Sequence, residues 1–428
     1  MKPMDKSSVA VLAEEILNTI VRPLPAVDIH THINPLDPAA RDVGELVFYH
    51  YIVTELETAG VNRSTLEAAK TVEEKVDLFV SSAPLVANTV TFWCLRRVLA
   101  QHGLEVEAGI TKEALLQINQ KIRANPSRAE WPCQELVERN NIRKTALTLN
   151  ITEALPAFDK EIFFGTLRMD DLLNSPGEKT LSQFMAVTGT SIGSLSDFER
   201  AVGKRATEFA QAGGKALTAG LPPEAVFVPP DRPAAEKLFD NILRGRSLTV
   251  GDHSLLQNYL LDVFAGLASD LSLPFQLLLG VRRPLPGNTA VSVLHPGLVT
   301  RYAPLFHKFS KTRFDLFLAS VVHSQELVAT AKNYSNLSLS GFWWYAFSPP
   351  YIRSMLTERL LALPVVKLHA FFSDAYNVEW SAGKLALLRK ELSWVLAELI
   401  ISGYLAESRT SEIAESLLSK NATRLYKL

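Results

Sequence analysis

Two histidines one residue apart, His30 and His32, end the apolar run Ala26-Val27-Asp28-Ile29-His30-Thr31-His32. In a β-strand, residues i and i+2 point to the same side, so both imidazoles leave one strand end toward one point. Neutral imidazole is a preferred ligand of zinc and other first-row divalent ions. A catalytic site usually offers three protein ligands and an open position. A pair of half-buried histidines without metal is the plainer reading; the apolar approach and the Asn34-Pro35 loop that follows favour a ligand pair. Asp374, just beyond the late apolar run in Lys367-Leu368-His369-Ala370-Phe371-Phe372-Ser373-Asp374, is a natural third ligand. It could also act as a base toward a metal-bound substrate or water. Its plainer role is to cap the next helix.

Arginine forks match carboxylates bidentately. Arg168, with Asp170 close behind, and the Arg282-Arg283 pair each follow a strand-like run, and one of them could hold an acidic substrate. An ordinary surface ion pair is the alternative for each. His50 and Tyr51, in Val47-Phe48-Tyr49-His50-Tyr51, could give or take a proton if placed over the metal. Trp343 and Trp344 could wall a pocket or simply fill it.

Such residues need a frame. Eight short apolar runs read as strands, over residues 26–32, 144–149, 162–167, 214–218, 274–280, 314–320, 337–341 and 365–370. Helical periodicity separates most of them, as over 197–212, 234–244 and 255–267. Strand alternating with helix argues for a parallel sheet, and eight units argue for a closed (β/α)8 TIM barrel with its active site at the C-terminal strand ends. Closure sets the last strand beside the first, and therefore Asp374 beside His30 and His32.

One interval is too long for a crossover. Residues 33–140 carry helical patterns over 43–58, 72–80, 91–102 and 112–122, which reads as a helical insertion after the first strand, over the barrel mouth. The expected division is 1–32 for an N-terminal helix and first strand, 33–140 for the insertion, and 141–428 for the rest of the barrel, with late helices over 384–404 and 411–419.

Hydrophobic residues are 47% of the 428, ample for a large core, and the net charge is only -1. No basic run or block of like charge suggests nucleic acid or an anionic membrane, so a small neutral or acidic metabolite is the expected partner. Cys94 and Cys133 are the only cysteines, which suits a reducing compartment. Acidic residues inside the first apolar stretch make an amphipathic helix there, not a signal peptide, and the expected location is cytoplasmic. Self-association into a homo-oligomer is left open. Gly189-Thr190-Ser191-Ile192-Gly193 matches the hydrolase G-x-S-x-G pattern but lacks a preceding strand, and the next helix starts near Ser196, whose hydroxyl suits an N-cap.

Together these residues resemble the uronate isomerases of the amidohydrolase superfamily. Val27-Asp28-Ile29-His30-Thr31-His32 is similar to that family's metal-binding first strand, and Phe48-Tyr49-His50-Tyr51 to its next segment. Ala87 through Trp93 is similar to its insertion motif, and Gly165 through Asp170 to its Arg-Pro-Asp strand end. Gln276 through Arg283, Gly341-Phe342-Trp343-Trp344 and Ser373-Asp374 continue the series. The resemblance implies interconversion of uronic acids with their keto isomers around one divalent ion, with zinc expected. It implies His30, His32 and Asp374 as metal ligands, His50 and Tyr51 as polar active-site groups, and Arg283 as a substrate contact. The chain departs at three places: Leu217-Thr218-Ala219-Gly220 replaces Ser-Asp-His-Gly, Leu278 replaces a histidine, and Tyr376 replaces an arginine.

The first expectation is a metal-dependent isomerase-like enzyme acting on a sugar acid. Asp374 or His50 moves a proton, Tyr51 assists, and Arg283 with Arg168 holds the carboxylate, while Trp343 and Tyr376 complete the substrate pocket. A metal-dependent amidohydrolase or lactonase is the second reading. Its binuclear form needs middle-strand lysine and histidine ligands, for which Lys215 is the lone weak candidate, so one metal is expected. A barrel that binds a sugar acid without turnover is the third.

Overall fold

The computed structural model describes residues 6–105, 109–125, 129–285 and 289–428. Among the described residues ten strands run in chain order: β1 (Ala26–Asp28), β2 (Ile142–Asn150), β3 (Phe163–Arg168), β4 (Gly214–Leu221), β5 (Phe275–Leu279), β6 (Val281–Leu285), β7 (Thr289–Ser292), β8 (Phe314–Leu318), β9 (Leu337–Ser340) and β10 (Leu368–His369). Eight form one parallel sheet in the order β1-β2-β3-β4-β5-β8-β9-β10. Each of the eight runs expected from the sequence contributes a strand to this sheet, whose faces are both buried. Outward residues such as Leu217, Leu277 and Leu316 pack in the layer beneath the helices. Inward ones such as Val27, Ala146, Phe164, Ala216 and Phe317 fill the lumen. Burial on both faces is why these strands read as continuous apolar runs.

The sheet curls until its ends meet. Asp374 N donates to the His30 carbonyl (3.0 Å) and His32 N to that of Ala375 (2.7 Å). Ser373 N donates to Asp28 Oδ1 (2.8 Å). Among the described residues no ladder joins β1 to β10; the loops beyond both strands close the barrel instead. The strand expected over 26–32 therefore ends its ladder at Asp28.

Three local expectations need correction. The helix anticipated over 43–58 is two helices, Val43–Val47 and His50–Thr58, because Tyr49 takes an extended conformation between them (ψ 138°). In the run expected as a strand over 365–370, Val365–Lys367 forms a 3-10 turn and only Leu368–His369 pairs; and where the fifth strand ends, Gly280, at φ +96°, turns the chain outward into the antiparallel β6-β7 hairpin. The cap after the G-x-S-x-G segment is Ser194, not Ser196, and its side chain accepts from Asp197 N. No described helix is long and apolar enough to cross a membrane.

The helix Val378–Ile401 is buried on nearly every side and anchors the helical segment that precedes β2. Glu379 on its first turn accepts from Ala40 N (3.1 and 3.2 Å) and from Trp131 Nε1 (3.0 Å). Burial, with the Glu135 charge adding to it, pushes the Glu379 carboxyl up to about 7 against the pull of these bonds. Burial likewise raises Glu135 to about 7, opposed by Arg139. A carboxyl whose pKa is higher in the folded chain binds its proton more tightly there, so its stabilisation is complete below the unfolded value and fades as pH rises through the folded one. Glu379→Gln is accordingly expected to gain on the wild type as pH rises from about 5 to 8, by roughly 1–3 kcal/mol. Thermal melts of both proteins across that range test this. A difference that stays constant with pH would show Glu379 ionised throughout.

Candidate active site

Past the C-terminal ends of the strands lies a cavity of about 180 Å³. Its wall includes His30, His32, His50, Tyr51, Arg168, Arg283, Trp343, Asp374 and Tyr376, so each side chain singled out from the sequence for the site meets the others there. Thr218, Gly220 and Leu278 complete the floor, and Thr54 and Tyr345 join the rim. The side chain of Trp344 lies outside the described residues. Lys215 sits apart from this cavity, bonding the Lys427 carbonyl (3.2 Å).

His30 and His32 follow β1 directly, with ring centroids 5.2 Å apart. Asp374 Oδ1 lies 3.2 Å from His32 Nε2 and 3.9 Å from His30 Nε2. One ligand atom from each of the three falls within 4.8 Å of the others. Both ring nitrogens of His30 are buried without a hydrogen-bond partner, and Asp374 Oδ1, also buried, has only His32 Nε2 beside it. Buried polar atoms left so cost roughly 1–3 kcal/mol each, a cost that coordination removes. Protonation also suits a cation. Burial, then the His32 charge, lowers the His30 pKa to about 3 and keeps it neutral. For Asp374 burial pulls upward, but the His32 hydrogen bond and charge, with Lys384 and His30, more than offset it and hold the carboxyl below its usual range. A neutral imidazole and an ionised carboxylate are the forms that ligate. The three residues thus fit one divalent ion.

The other carboxylate oxygen is spoken for. Asp374 Oδ2 accepts from Tyr51 OH (2.5 Å) and from Trp343 Nε1 (3.2 Å). Asp374 itself sits at φ +54°, a left-handed conformation that Asp tolerates better than most residues. The break at Tyr49 is what lets the insertion reach this point: Tyr49 stacks on Trp380 (4.1 Å), and His50 begins the new helix with Tyr51 as its second residue. The His50 ring packs among Tyr49, Tyr51 and Tyr376, with centroids 4.3, 4.0 and 4.6 Å away. Desolvation by these rings, then the Lys384 charge, lowers the His50 pKa, so the ring is neutral at neutral pH while its outer edge meets solvent.

The two cavity arginines differ. Arg168 is bound to Asp170 Oδ2 through Nε (2.7 Å) and Nη2 (2.6 Å), and Asp170 Oδ1 accepts from Gly220 N (2.7 Å). Arg283, on the β6-β7 hairpin, is exposed and has no carboxylate partner among the described residues. Its neighbour Arg282 pairs with Glu224. Tyr376 stacks on His32 (5.0 Å).

Sequence reasoning missed Lys384. Its ammonium is buried, donates to the Ser373 carbonyl and lies 4.3 Å from the Tyr51 ring centroid. Burial lowers its pKa to about 8 despite the nearby Asp374 charge. A lysine within Trp380-Ser381-Ala382-Gly383-Lys384, a stretch otherwise small or apolar, was the available signal.

A parallel eight-stranded barrel with a His-x-His pair just beyond its first strand and an aspartate beyond its last is an amidohydrolase-like TIM barrel. Within that class the assignment narrows. The glucuronate isomerase family profile matches residues 8–293, more than half of the chain, and the protein belongs to that family. A uronate isomerase of Rhizorhabdus wittichii is 25% identical over 261 residues, which cover 58% of this chain and 56% of the relative, so the match spans little more than half of that protein. The uronate isomerase structure from Thermotoga maritima superposes with a TM-score of 0.87 at 16% identity, covering 100% of both chains. Glucuronate isomerase from Caulobacter crescentus gives 0.86 at 19% identity, over 99% of this chain and 95% of that one.

Proposed function

We propose that the protein isomerises a uronic or related sugar acid between its aldose and ketose forms, with one divalent ion held by His30, His32 and Asp374. The observation that carries this reading is the convergence of one donor atom from each of those three residues within 4.8 Å, with both ring nitrogens of His30 unpartnered, facing the same cavity as the carboxylate-free Arg283. When bound, the ion, zinc by preference of the donors, supplies polarisation of the substrate carbonyl or hydroxyl. Arg283 takes the substrate carboxylate, and the Arg168–Asp170 pair and Trp343 shape the wall beside it.

The reaction needs no co-reactant: a proton leaves the carbon next to the carbonyl and returns to the former carbonyl carbon, while the hydroxyl and carbonyl exchange places. His50, neutral and at the mouth, and Asp374, ionised below it, are the groups placed to move that proton. Tyr51 steadies Asp374 through its 2.5 Å bond and can pass a proton to a substrate oxygen. Residues 33–140 act as one helical lid on the barrel built from 1–32 and 141–428.

The test is metal analysis of the purified protein, followed by incubation with a panel of uronic acids and their lactones. A new keto sugar without net hydrolysis supports the proposal. Lactone opening without isomerisation would make the protein a hydrolase, and ligand-induced stabilisation without conversion would make it a binding barrel. Tyr51→Phe is expected to retain the metal and lower kcat about tenfold or more with little change in KM, since it loses the bond that orients Asp374 and the proton the hydroxyl supplies, both of which act in the transition state more than in ground-state binding. Unaltered kcat would take Tyr51 out of the reaction.

A further inference from the structure

At the opposite end of the barrel, where the strands begin, lies a larger cavity of about 620 Å³. Five of its lining residues are cationic: Lys311 and Arg313 before β8, Lys367 before β10, and Arg424 and Lys427 at the C-terminal end of the chain. Among the described residues no aspartate or glutamate lines it. For a chain of net charge -1 this is a strong local departure.

What the cations bond to sharpens the point. Lys367 donates to the carbonyls of Ala331 (2.5 Å) and Tyr334 (2.6 Å), Arg424 to that of Val366 (2.9 Å) and Lys427 to that of Ser272 (3.3 Å). Lys311 and Arg313 are exposed and make no side-chain bond among the described residues. Behind them His369, on β10, is 3% exposed, lines the cavity, and has no partner for either ring nitrogen. Like charges gathered without a counter-charge repel, and an anion bound among them removes that repulsion.

We propose that this basal cavity is a second binding site, for a small phosphate ester. Several cations converging from separate elements call for more than one negative charge and several acceptor oxygens, which a phosphomonoester supplies and a single carboxylate does not. The cavity has room for the organic part. The site is also wired to the lumen. The C-terminal helix that carries Arg424 sends Tyr426 inward, where its hydroxyl receives from Gln276 Nε2 (2.8 Å) and donates to Asp315. Gln276 Nε2 also donates to the carbonyl of Ile29 (2.9 Å), the residue before His30.

Calorimetric titration of the full metal-loaded chain with glycerol 3-phosphate at physiological ionic strength tests the proposal, with glycerol as the control. The expected result is saturable binding with Kd of about 1 mM or tighter, weakening as salt is added. A Lys311→Gln and Arg313→Gln double variant, altered only at exposed side chains without bonds, is expected to bind at least about tenfold more weakly. Arg283→Ala, changed at the other end, is expected to keep wild-type affinity. Absence of saturable heat in the wild type, or loss in Arg283→Ala with retention in the double variant, would overturn it, the latter by placing the phosphate in the active site.

Discussion

Asp374→Asn is expected to lose about 10²–10⁴-fold in kcat/KM on any sugar acid the protein converts, and to hold its divalent ion roughly 10–100-fold more weakly. The amide keeps the size of the carboxylate and tolerates the backbone at φ +54°, so the barrel is expected to fold as before. What it loses is the charge that faces His30 and His32 from 3.9 and 3.2 Å, and with it the anionic ligand. Metal content, melting temperature and steady-state rates on one preparation separate the effects. A variant with full metal and full rate would show that Asp374 neither ligates nor moves a proton; one that fails to fold would move the test to His32→Ala, whose ring is partly exposed.

Turnover of glucuronate and galacturonate by the wild-type protein is expected to be poor, with kcat/KM below roughly 10⁴ M⁻¹s⁻¹. Thr218, Leu278 and Tyr376 all border the cavity, at positions where the resemblance implies an acidic, an imidazole and a guanidinium group. Each charged hydrogen bond withheld from a substrate is worth about 1.5–3 kcal/mol, and two or three together leave little of an efficient enzyme. Tyr376 instead offers an aromatic face beside His32 and His50, which suits a sugar acid with a more apolar or differently placed ring substituent. Assays on fully metallated protein with both uronates decide the point: efficient turnover would show that Arg283 and the Arg168–Asp170 pair suffice.

Much of this was legible in the chain. Strands buried on both faces of a parallel sheet announce themselves as uninterrupted apolar runs, and the barrel's closure then brings residues 30 and 374 together across 344 positions of sequence. The break before His50 was not legible, because Phe48 and Tyr49 are as apolar as the helices beside them; Tyr49 leaves the helix to stack on Trp380, a contact made 331 residues away. The β6-β7 hairpin was hidden because Arg282, Arg283 and Pro284 read as a loop after β5, while a single glycine at positive φ redirects the chain into an exposed two-stranded pair. Lys384 was missed because a lysine on a long helix is ordinarily solvated, and its burial follows from how completely the last long helix is enclosed.

The seam of the barrel carries one further consequence. The residues proposed for chemistry also fasten the two ends of the sheet, but two of the three fastening bonds run between main-chain atoms, from Asp374 N to His30 O and from His32 N to Ala375 O. Those two bonds do not depend on which side chains the positions carry, so a substitution that the backbone tolerates, such as Asp374→Asn at φ +54°, leaves the barrel shut while its chemistry changes. Of the fastenings, one depends on residue type, the carboxylate of Asp28 that receives Ser373 N. Closure and chemistry are thus separable: none of the three seam bonds involves Thr218, Leu278 or Tyr376, so changes to the mouth at those positions leave the hoop fastened.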